Sequence, residues 1–383
     1  MATKSWTLTG EGSSLEPFNE QFATAGKKCS VARRTLRGGL SEGVDVIRVD
    51  NGALKFDVLP TRGMGLWKAW LGDDEFGWRS PVPGPVHPNF VPIAEPSGLG
   101  WLDGFDELLV RCGLESNGAP EFDEQGRVRY PLHGRIANKP ARRLTLTADE
   151  TTGQLTLTGV VEEVRFHFLK LRLTSSVSTA PGENGLRIVD VVENLSESPA
   201  DAQLLYHVNF GHPLLDAGSR FVAPLKTVVP RNDHAAEGIK TFDSYAAPQA
   251  GFEEQVYFME LAGDDEHRSM ALLRNAHGTA GASLHFDLRQ LPCFTVWKNT
   301  TATGDGYVTG LEPATNYPNP RSHEGGQNRV LRLPPKGKAE LRLELRFYNA
   351  ADVAQAEEAI GRLQADVEPT LHDKPQPGWC EGV

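Results

Sequence analysis

Apolar and polar residues alternate with a period of two over long stretches of this chain. Between positions 169 and 174, leucines alternate with lysine, arginine and threonine, and between 341 and 347 leucines and a phenylalanine alternate with arginine and glutamate. A period of two is typical of strands with one buried and one wet face. The 39 glycines and 26 prolines among 383 residues also indicate many tight turns. The sequence therefore predicts an all-β protein.

The rest of the chain is less regular but divides into three parts. We predict an N-terminal extension over 1–40, a β-sandwich domain over 41–350, and a C-terminal helix and tail over 351–383. Apolar residues recur at helical spacing between 350 and 364, and Asn349 is suited to cap that helix. The loop over 80–100 is rich in proline and glycine, and Trp101 and Phe105 follow it, so we expect it to fold over a cleft.

Charge and composition exclude several classes of function. The net charge of -11 would repel a phosphate backbone, so we expect no nucleic acid partner. No apolar run of about 18 residues is present, so we expect no membrane span. The start of the chain lacks an apolar leader and the four cysteines lack metal-binding or paired spacing, which favours a cytoplasmic protein with free thiols.

Three residues are candidates for proton transfer. Glu312 ends a β-like run and precedes a proline-rich turn, His207 ends an apolar run, and His133 precedes a glycine in a turn. One carboxylate and two imidazoles could supply the base and the acid that reversible opening of a sugar ring requires. Two of these residues also have a structural interpretation: Glu312 as a turn cap or a partner of an arginine, and His207 as a buried group bonded to the backbone.

Arginines in apolar or turn settings are candidates for substrate binding. Arg111 lies within an apolar run, and a buried charge there must be paired. It could bind sugar hydroxyls or form an internal ion pair with Asp106 or Glu107. The same alternatives hold for Arg62, and Arg135 could bind hydroxyls or form a surface ion pair.

A metal site is the main competing chemistry. His207 and His212 are five positions apart, and His133, Glu312 or His323 could join them as ligands of zinc or iron. No HxH or HExxH spacing supports such a site, so we predict no metal ligands.

In their order along the chain, several short motifs resemble those of the galactose mutarotase (aldose 1-epimerase) family. The motifs are Leu132-His133-Gly134, Tyr206-His207-Val208-Asn209-Phe210 and Leu311-Glu312-Pro313. Further segments are similar to the uncharacterised DUF4432 branch of that superfamily: Leu59-Pro60-Thr61-Arg62-Gly63-Met64, Arg111-Cys112-Gly113-Leu114 and Trp297-Lys298. The resemblance covers about residues 40 to 350 and implies a large antiparallel β-supersandwich.

The resemblance also implies roles for residues and a reaction. Glu312 would take the proton from the anomeric O1 hydroxyl, His207 would protonate the ring oxygen, and His133 and Arg111 would position and polarise the ring-oxygen side. Apart from the resemblance, Trp297 could stack on the flat C–H face of a sugar or serve as a core residue at a strand end. The substrate would be a small sugar, and no cofactor would be needed. Whether the protein forms a homodimer is left open.

The chain departs from the family pattern at several positions. Tyr206 replaces the usual asparagine, and Glu254 lies near the position of the aspartate that binds sugar hydroxyls, so galactose itself is in doubt. We therefore include Glu254 in the binding set, and we expect Lys298 to contact an acidic or oxidised sugar. Two alternatives remain: another sugar isomerase or epimerase, with or without a metal, and a carbohydrate-binding protein without catalysis.

Overall fold

The computed structural model describes residues 3–11, 13, 18–24 and 27–383. The described residues are organised mainly as strands. In chain order the strands are β1 (Thr3–Thr9), β2 (Asn19–Thr24), β3 (Lys27–Thr35), β4 (Asp45–Asp50), β5 (Leu54–Leu59), β6 (Gly65–Leu71), β7 (Asp74–Phe76), β8 (Leu109–Leu114), β9 (Glu121–Phe122), β10 (Val128–Tyr130), β11 (Arg143–Asp149), β12 (Leu155–Val164), β13 (Lys170–Thr179), β14 (Gly185–Asn194), β15 (Ala200–Gly211), β16 (Arg220–Val222), β17 (Leu225–Pro230), β18 (Gln255–Leu261), β19 (Arg268–Arg274), β20 (Ala280–Asp287), β21 (Cys293–Asn299), β22 (Val308–Ala314), β23 (Leu331–Leu333), β24 (Lys338–Asn349) and β25 (Thr370–Leu371).

These strands form two large sheets and one small ribbon. The first sheet has the order β1-β11-β12-β13-β14-β24-β20-β19-β16. The second has the order β2-β3-β4-β5-β6-β8-β15-β22-β21-β18-β17-β25, with β7 paired to β6 and β23 paired to β15. The ribbon consists of β9 and β10. Except for the parallel contact of β17 with β25, the pairs are antiparallel.

The core lies between the two large sheets. Its largest cluster combines buried side chains of the first sheet, such as Leu171 and Leu343, with others of the second, such as Phe56 and Val208. Strand β13 buries every second residue along most of its length, as its sequence predicts. The predicted all-β antiparallel sandwich with a short C-terminal helix is therefore confirmed.

Helical segments are short, with one exception. The α-helices are α1 (Asp233–Glu237), α2 (Arg321–Gly326) and α3 (Ala350–Gln364), and 3-10 turns cover Gly39–Ser41, Pro88–Phe90, Gly100–Gly104, Ile136–Asn138, Ile239–Thr241 and Thr303–Asp305. The side chain of Asn349 caps α3 by accepting from the amides of Ala351 and Asp352, as expected. No helix within the described part of the chain is both long and apolar enough to cross a bilayer.

The N-terminal extension takes part in both sheets. Strand β1 forms the edge of the first sheet by pairing with β11, and β2 forms the edge of the second by pairing with β3. Residues 1–2, 12, 14–17 and 25–26 of the extension lie outside the described residues. The proposed domain boundaries near 40 and 350 stay predictions.

Candidate active site

A cavity of about 310 Å³ opens on the outer face of the second sheet. Strand β15 explains its position, because Tyr206 and Val208 point into the core between the sheets while His207 lines the cavity on the opposite face. Strand β22 follows the same rule: Leu311 belongs to the core and Glu312 lines the cavity. The volume lies at the low end of the roughly 300–1,000 Å³ of small-molecule pockets.

Glu312 and His207 are in direct contact at the base of the cavity. Nε2 of His207 lies 3.1 Å from Oε1 of Glu312, and both side chains are almost fully buried. The two atoms are not aligned as a hydrogen bond, and Oε1 has no hydrogen-bond partner among the described residues. Gly310 makes room for the pair, since a Cβ there would lie 2.6 Å from Oε1 and 2.8 Å from Cε1 of His207.

The second imidazole, His133, stands perpendicular to the first, with ring centroids 5.3 Å apart. Its Nδ1 lies 3.0 Å from the carbonyl oxygen of Asn117. A carbonyl can only accept, so Nδ1 donates, and in the neutral ring Nε2 is the acceptor. The turn needs Gly134, whose φ is 72°, because a Cβ there would lie 2.0 Å from the carbonyl oxygen of Ser116.

Aromatic side chains form the walls of the cavity. Trp101 packs 4.5 Å from His133, and Phe105 and Trp297 pack edge-on against His207 at 5.2 and 5.4 Å between ring centroids. Trp101 and Phe105 belong to the segment after the proline-rich loop, and Leu99 of the loop itself also lines the cavity. The indole Nε1 of Trp101 is buried without a partner among the described residues.

An ion pair lies beside the aromatic wall. Oε1 of Glu254 accepts from Nη2 of Arg231 at 3.0 Å, and Oε2 accepts from Nε1 of Trp297 at 2.6 Å. Arg231 follows β17 directly and lines the cavity with Glu254. Sequence reasoning missed Arg231, because only the long-range packing of β17 beside β18 brings it to the cavity. The pair offers a substrate both an anionic acceptor and cationic donors.

Burial favours the neutral forms of Glu312, His207 and His133. It raises the pKa of Glu312 well above the ordinary value, and the charge of Glu254 adds to the effect. Burial lowers the pKa of His207 well below the ordinary value, with a smaller contribution from His133, and lowers the pKa of His133 to about 4. These shifts act in the direction of a protonated carboxyl group on Glu312 and uncharged imidazoles on His207 and His133.

The sequence matches the profile of a domain of unknown function, DUF4432, over residues 41–347. This chain belongs to the DUF4432 family. It is also similar to the crystal structure of "a putative aldose 1-epimerase" from Klebsiella pneumoniae, with 34% identity, a TM-score of 0.93, and coverage of 98% of this chain and 99% of that one. No curated protein matches the sequence significantly.

More distant structures share the fold of this DUF4432 protein. Galactose 1-epimerase from Lactobacillus acidophilus has 12% identity and a TM-score of 0.57, with coverage of 83% of this chain and 98% of the other. A galactose mutarotase-like protein from Clostridium acetobutylicum has 13% identity and a TM-score of 0.54, with coverage of 88% and 100%. The suspected relationship to the galactose mutarotase superfamily is thus confirmed for the fold.

The structure places Arg111 of this DUF4432 protein outside the cavity. It pairs across β8 and β15 with Tyr206, so both side chains point into the core, away from His207. Its Nε donates to Asp190 at 2.5 Å, Nη1 to the carbonyl of Met64 at 2.6 Å, and Nη2 to Asp190 at 3.2 Å and to Ser175 at 2.8 Å. The expected contact of Arg111 with substrate is therefore not observed. Arg111 instead forms an ion pair that joins the two sheets, and its partner is Asp190 rather than Asp106 or Glu107.

Arg62 is likewise a structural residue. Its Nε donates to Oε1 of Glu107 at 2.5 Å, Nη1 donates to the carbonyl of Val86 and to Oδ1 of Asn138, and Nη2 donates to the carbonyl of Gly104. The internal-pair alternative is the one observed. Through these hydrogen bonds, Arg62 connects the proline-rich loop to the 3-10 turn that contains Trp101. It therefore supports the cavity wall without lining the cavity.

Lys298 and Arg135 also lie elsewhere. Trp297 lines the cavity, and its strand neighbour Lys298 points to the opposite face, where Nζ donates to the carbonyls of Thr241 and Ser244 at 2.8 and 2.6 Å. The expected contact of Lys298 with an acidic sugar is therefore wrong in this geometry. Arg135 lies 3.6 Å from Glu115 beside a separate cavity, which is the surface-pair alternative.

The residues of the metal alternative do not all converge. His133, His207 and Glu312 line the cavity, whereas His212 and His323 do not. Within the described parts of the chain, no group of three or more His, Cys, Asp or Glu side chains is arranged to hold a metal ion.

Proposed function

We propose that this protein is an aldose 1-epimerase-like enzyme that interconverts the anomers of a small sugar by acid–base ring opening. The observation that carries the proposal is the direct contact of Glu312 with His207 inside a cavity of monosaccharide size. The similarity to the Klebsiella pneumoniae protein over nearly the whole chain supports it.

Ring opening requires one base and one acid, and therefore one proton shared between two groups. Glu312, as carboxylate, takes the proton of the O1 hydroxyl while the bond between C1 and the ring oxygen breaks. The bond's electron pair goes to the ring oxygen, which takes a proton from the imidazolium of His207. Rotation about C1–C2 and the reverse steps on the other face yield the second anomer, and both side chains regain their starting protonation.

Burial favours a protonated Glu312 beside a neutral His207, so we propose that the resting pair carries the single proton that this cycle needs. The reactive form moves that proton from Glu312 to His207, and a bound sugar can favour the move by hydrogen bonding to the carboxylate oxygen that lacks a partner. His133 faces the same space with an acceptor nitrogen and can orient a hydroxyl. The walls of Trp101, Phe105 and Trp297 offer apolar surface to the C–H faces of a pyranose.

The test is the rate of anomer exchange, measured by NMR over a panel of neutral, deoxy and acidic aldoses. Glu312→Gln should reduce the catalysed rate by about 10²- to 10⁴-fold, since it removes the base but keeps the shape. Sugar affinity, measured by calorimetry, should change much less. Glu163→Gln is the matched control, because Glu163 is also a buried carboxyl but lines a different cavity, and its activity should be unaffected.

Other results would overturn the proposal. Sugar binding without catalysed exchange in the parent protein would identify a binding protein. Exchange that survives Glu312→Gln would exclude the glutamate as the base. A stoichiometric metal in the active protein, with activity lost on its removal, would favour the alternative of a metal-assisted isomerase.

A further inference from the structure

Asn209, two residues beyond His207 on β15, contacts the imidazole on the side away from Glu312. Nδ1 of His207 lies 2.5 Å from Oδ1 of Asn209. Because residues two apart on a strand share a face, both side chains lie on the cavity side of the sheet. Asn209 is fully buried, so this contact is shielded from water.

The orientation of the Asn209 amide is fixed by its other end. Nδ2 donates to the carbonyl of Glu107 at 3.0 Å and to the carbonyl of His207 at 3.2 Å. A flipped amide would place its oxygen against two carbonyl oxygens and its NH₂ group against the imidazole, so the network selects the orientation observed. Oδ1 can only accept, and therefore Nδ1 of His207 must donate.

We propose that Asn209 is a positioning residue that holds His207 as the Nδ1–H tautomer, so that Nε2 has no proton of its own and presents its lone pair to Glu312. A lone pair on Nε2 at 3.1 Å from a carboxylate oxygen is unfavourable unless a proton is present on one of the two groups. The pair is thereby confined to one proton, which is the number that ring opening uses. The consequence for catalysis rests on the proposed function, whereas the tautomer does not.

The surroundings of His207 contain no competing acceptor for Nδ1 among the described residues. The titratable groups nearest to the ring are Glu312, on the side of Nε2, and His133, whose ring stands perpendicular to it. Glu254 and Arg231 lie farther along the cavity and act on Glu312 through their charges. The aromatic rings of Trp101, Phe105 and Trp297 in the cavity walls also pack against the ring of His207.

The experiment is a long-range ¹H–¹⁵N correlation spectrum of the full-length protein labelled at histidine, with the His207 signals assigned by their loss in His207→Gln. In the parent protein, Nδ1 should resonate in the protonated range and Nε2 in the unprotonated range. Asn209→Ala should populate the Nε2–H tautomer. Asn209→Asp, which retains an acceptor, should restore the Nδ1–H tautomer. An Nε2–H tautomer in the parent, or an unchanged Nδ1–H tautomer in Asn209→Ala, would overturn the proposal.

Kinetics provide the second readout. Asn209→Ala should lower kcat by about 10²-fold with KM changed only slightly, because an imidazole in the wrong tautomer loses proton transfer but not binding. The matched control is Asn194→Ala, which removes another buried asparagine whose amide donates to backbone carbonyls far from the cavity. Both variants should lose stability, and only Asn209→Ala should change the tautomer and kcat. If the parent protein shows the Nδ1–H tautomer of His207 but catalyses no anomer exchange, the proposed function is refuted and the inference about the tautomer stands.

Discussion

Gly310 provides a sharp test of the geometry at the base of the cavity. Its backbone lies in strand β22 outside the left-handed region, so alanine is compatible with the main chain there. The three heavy atoms nearest to a Cβ would be Oε1 of Glu312 at 2.6 Å, and Cε1 and Nδ1 of His207 at 2.8 and 3.1 Å. Gly310→Ala is therefore a perturbation aimed at the relative position of two side chains.

The size of the effect follows from these distances. Ordinary contact between such atoms lies at about 3.5 Å, so the two side chains must move by roughly 0.7–0.9 Å. A misplacement of about 1 Å can cost about 10²-fold in rate, and we expect kcat for anomer exchange to fall by that order. Overpacking of a well-packed region costs about 1–3 kcal/mol, so the free energy of unfolding should fall by a similar amount.

Gly159→Ala is the matched control for Gly310→Ala. Gly159 lies in strand β12, and a Cβ there would lie 2.2 Å from Sδ of Met64; neither residue lines the cavity. Unfolding in denaturant should show comparable losses of stability for the two variants, while anomer exchange should fall only in Gly310→Ala. Full activity in a folded Gly310→Ala protein would refute the packing of Glu312 against His207 on which the mechanism depends.

Two further predictions concern buried charges outside the cavity. Arg111→Met should lower the free energy of unfolding by about 3–5 kcal/mol, because it leaves Asp190 buried without its partner. The double variant Arg111→Met/Asp190→Leu removes both charges and should recover much of this loss. Denaturant unfolding of the two variants measures both effects. Glu163, whose pKa burial raises to about 7, binds its proton more tightly in the folded than in the unfolded chain, so the free energy of unfolding should fall by roughly 3 kcal/mol as pH rises from about 4.5 to about 7. Glu163→Gln should remove most of that slope in a pH series of unfolding curves, and an unchanged slope would refute the assignment.

The fold was predictable because its signal is local. Alternation along a strand depends on which face is buried, and β13 and β24 both show it in sequence and structure. The C-terminal helix was predictable for the same reason, with its cap and its apolar spacing both contained within a short segment. Sheet order is different, because strand pairs such as β14 with β24 join segments about 150 residues apart and leave no local trace.

The candidate site was predictable only in part, and strand alternation accounts for the errors. Trp297 and Lys298 are adjacent on β21, so one strand rule already forbids both from facing the same cavity. Arg111 required the register: opposite Tyr206 it must point into the core, whereas opposite His207 it would have faced the cavity. The alternation of side chains does not apply to residues that reach the cavity from loops, such as Arg231, so the sequence could not predict that they line it.

Three deeply buried ionisable residues, Arg62, Arg111 and Glu312, differ in how far their hydrogen-bonding groups are satisfied. Arg62 and Arg111 are as deeply buried as Glu312, but their guanidinium groups donate to carboxylates and carbonyls on several sides. Glu312 leaves one buried oxygen without a hydrogen bond among the described residues, at a cost of about 1–3 kcal/mol. The fold provides hydrogen-bond partners for two buried arginines but leaves this oxygen of Glu312 without one. A polar atom without a partner beside a cavity is available to hydrogen-bond a ligand. The unpartnered oxygen of Glu312, rather than its burial, is therefore what distinguishes it from the two arginines and fits the proposed role at the cavity.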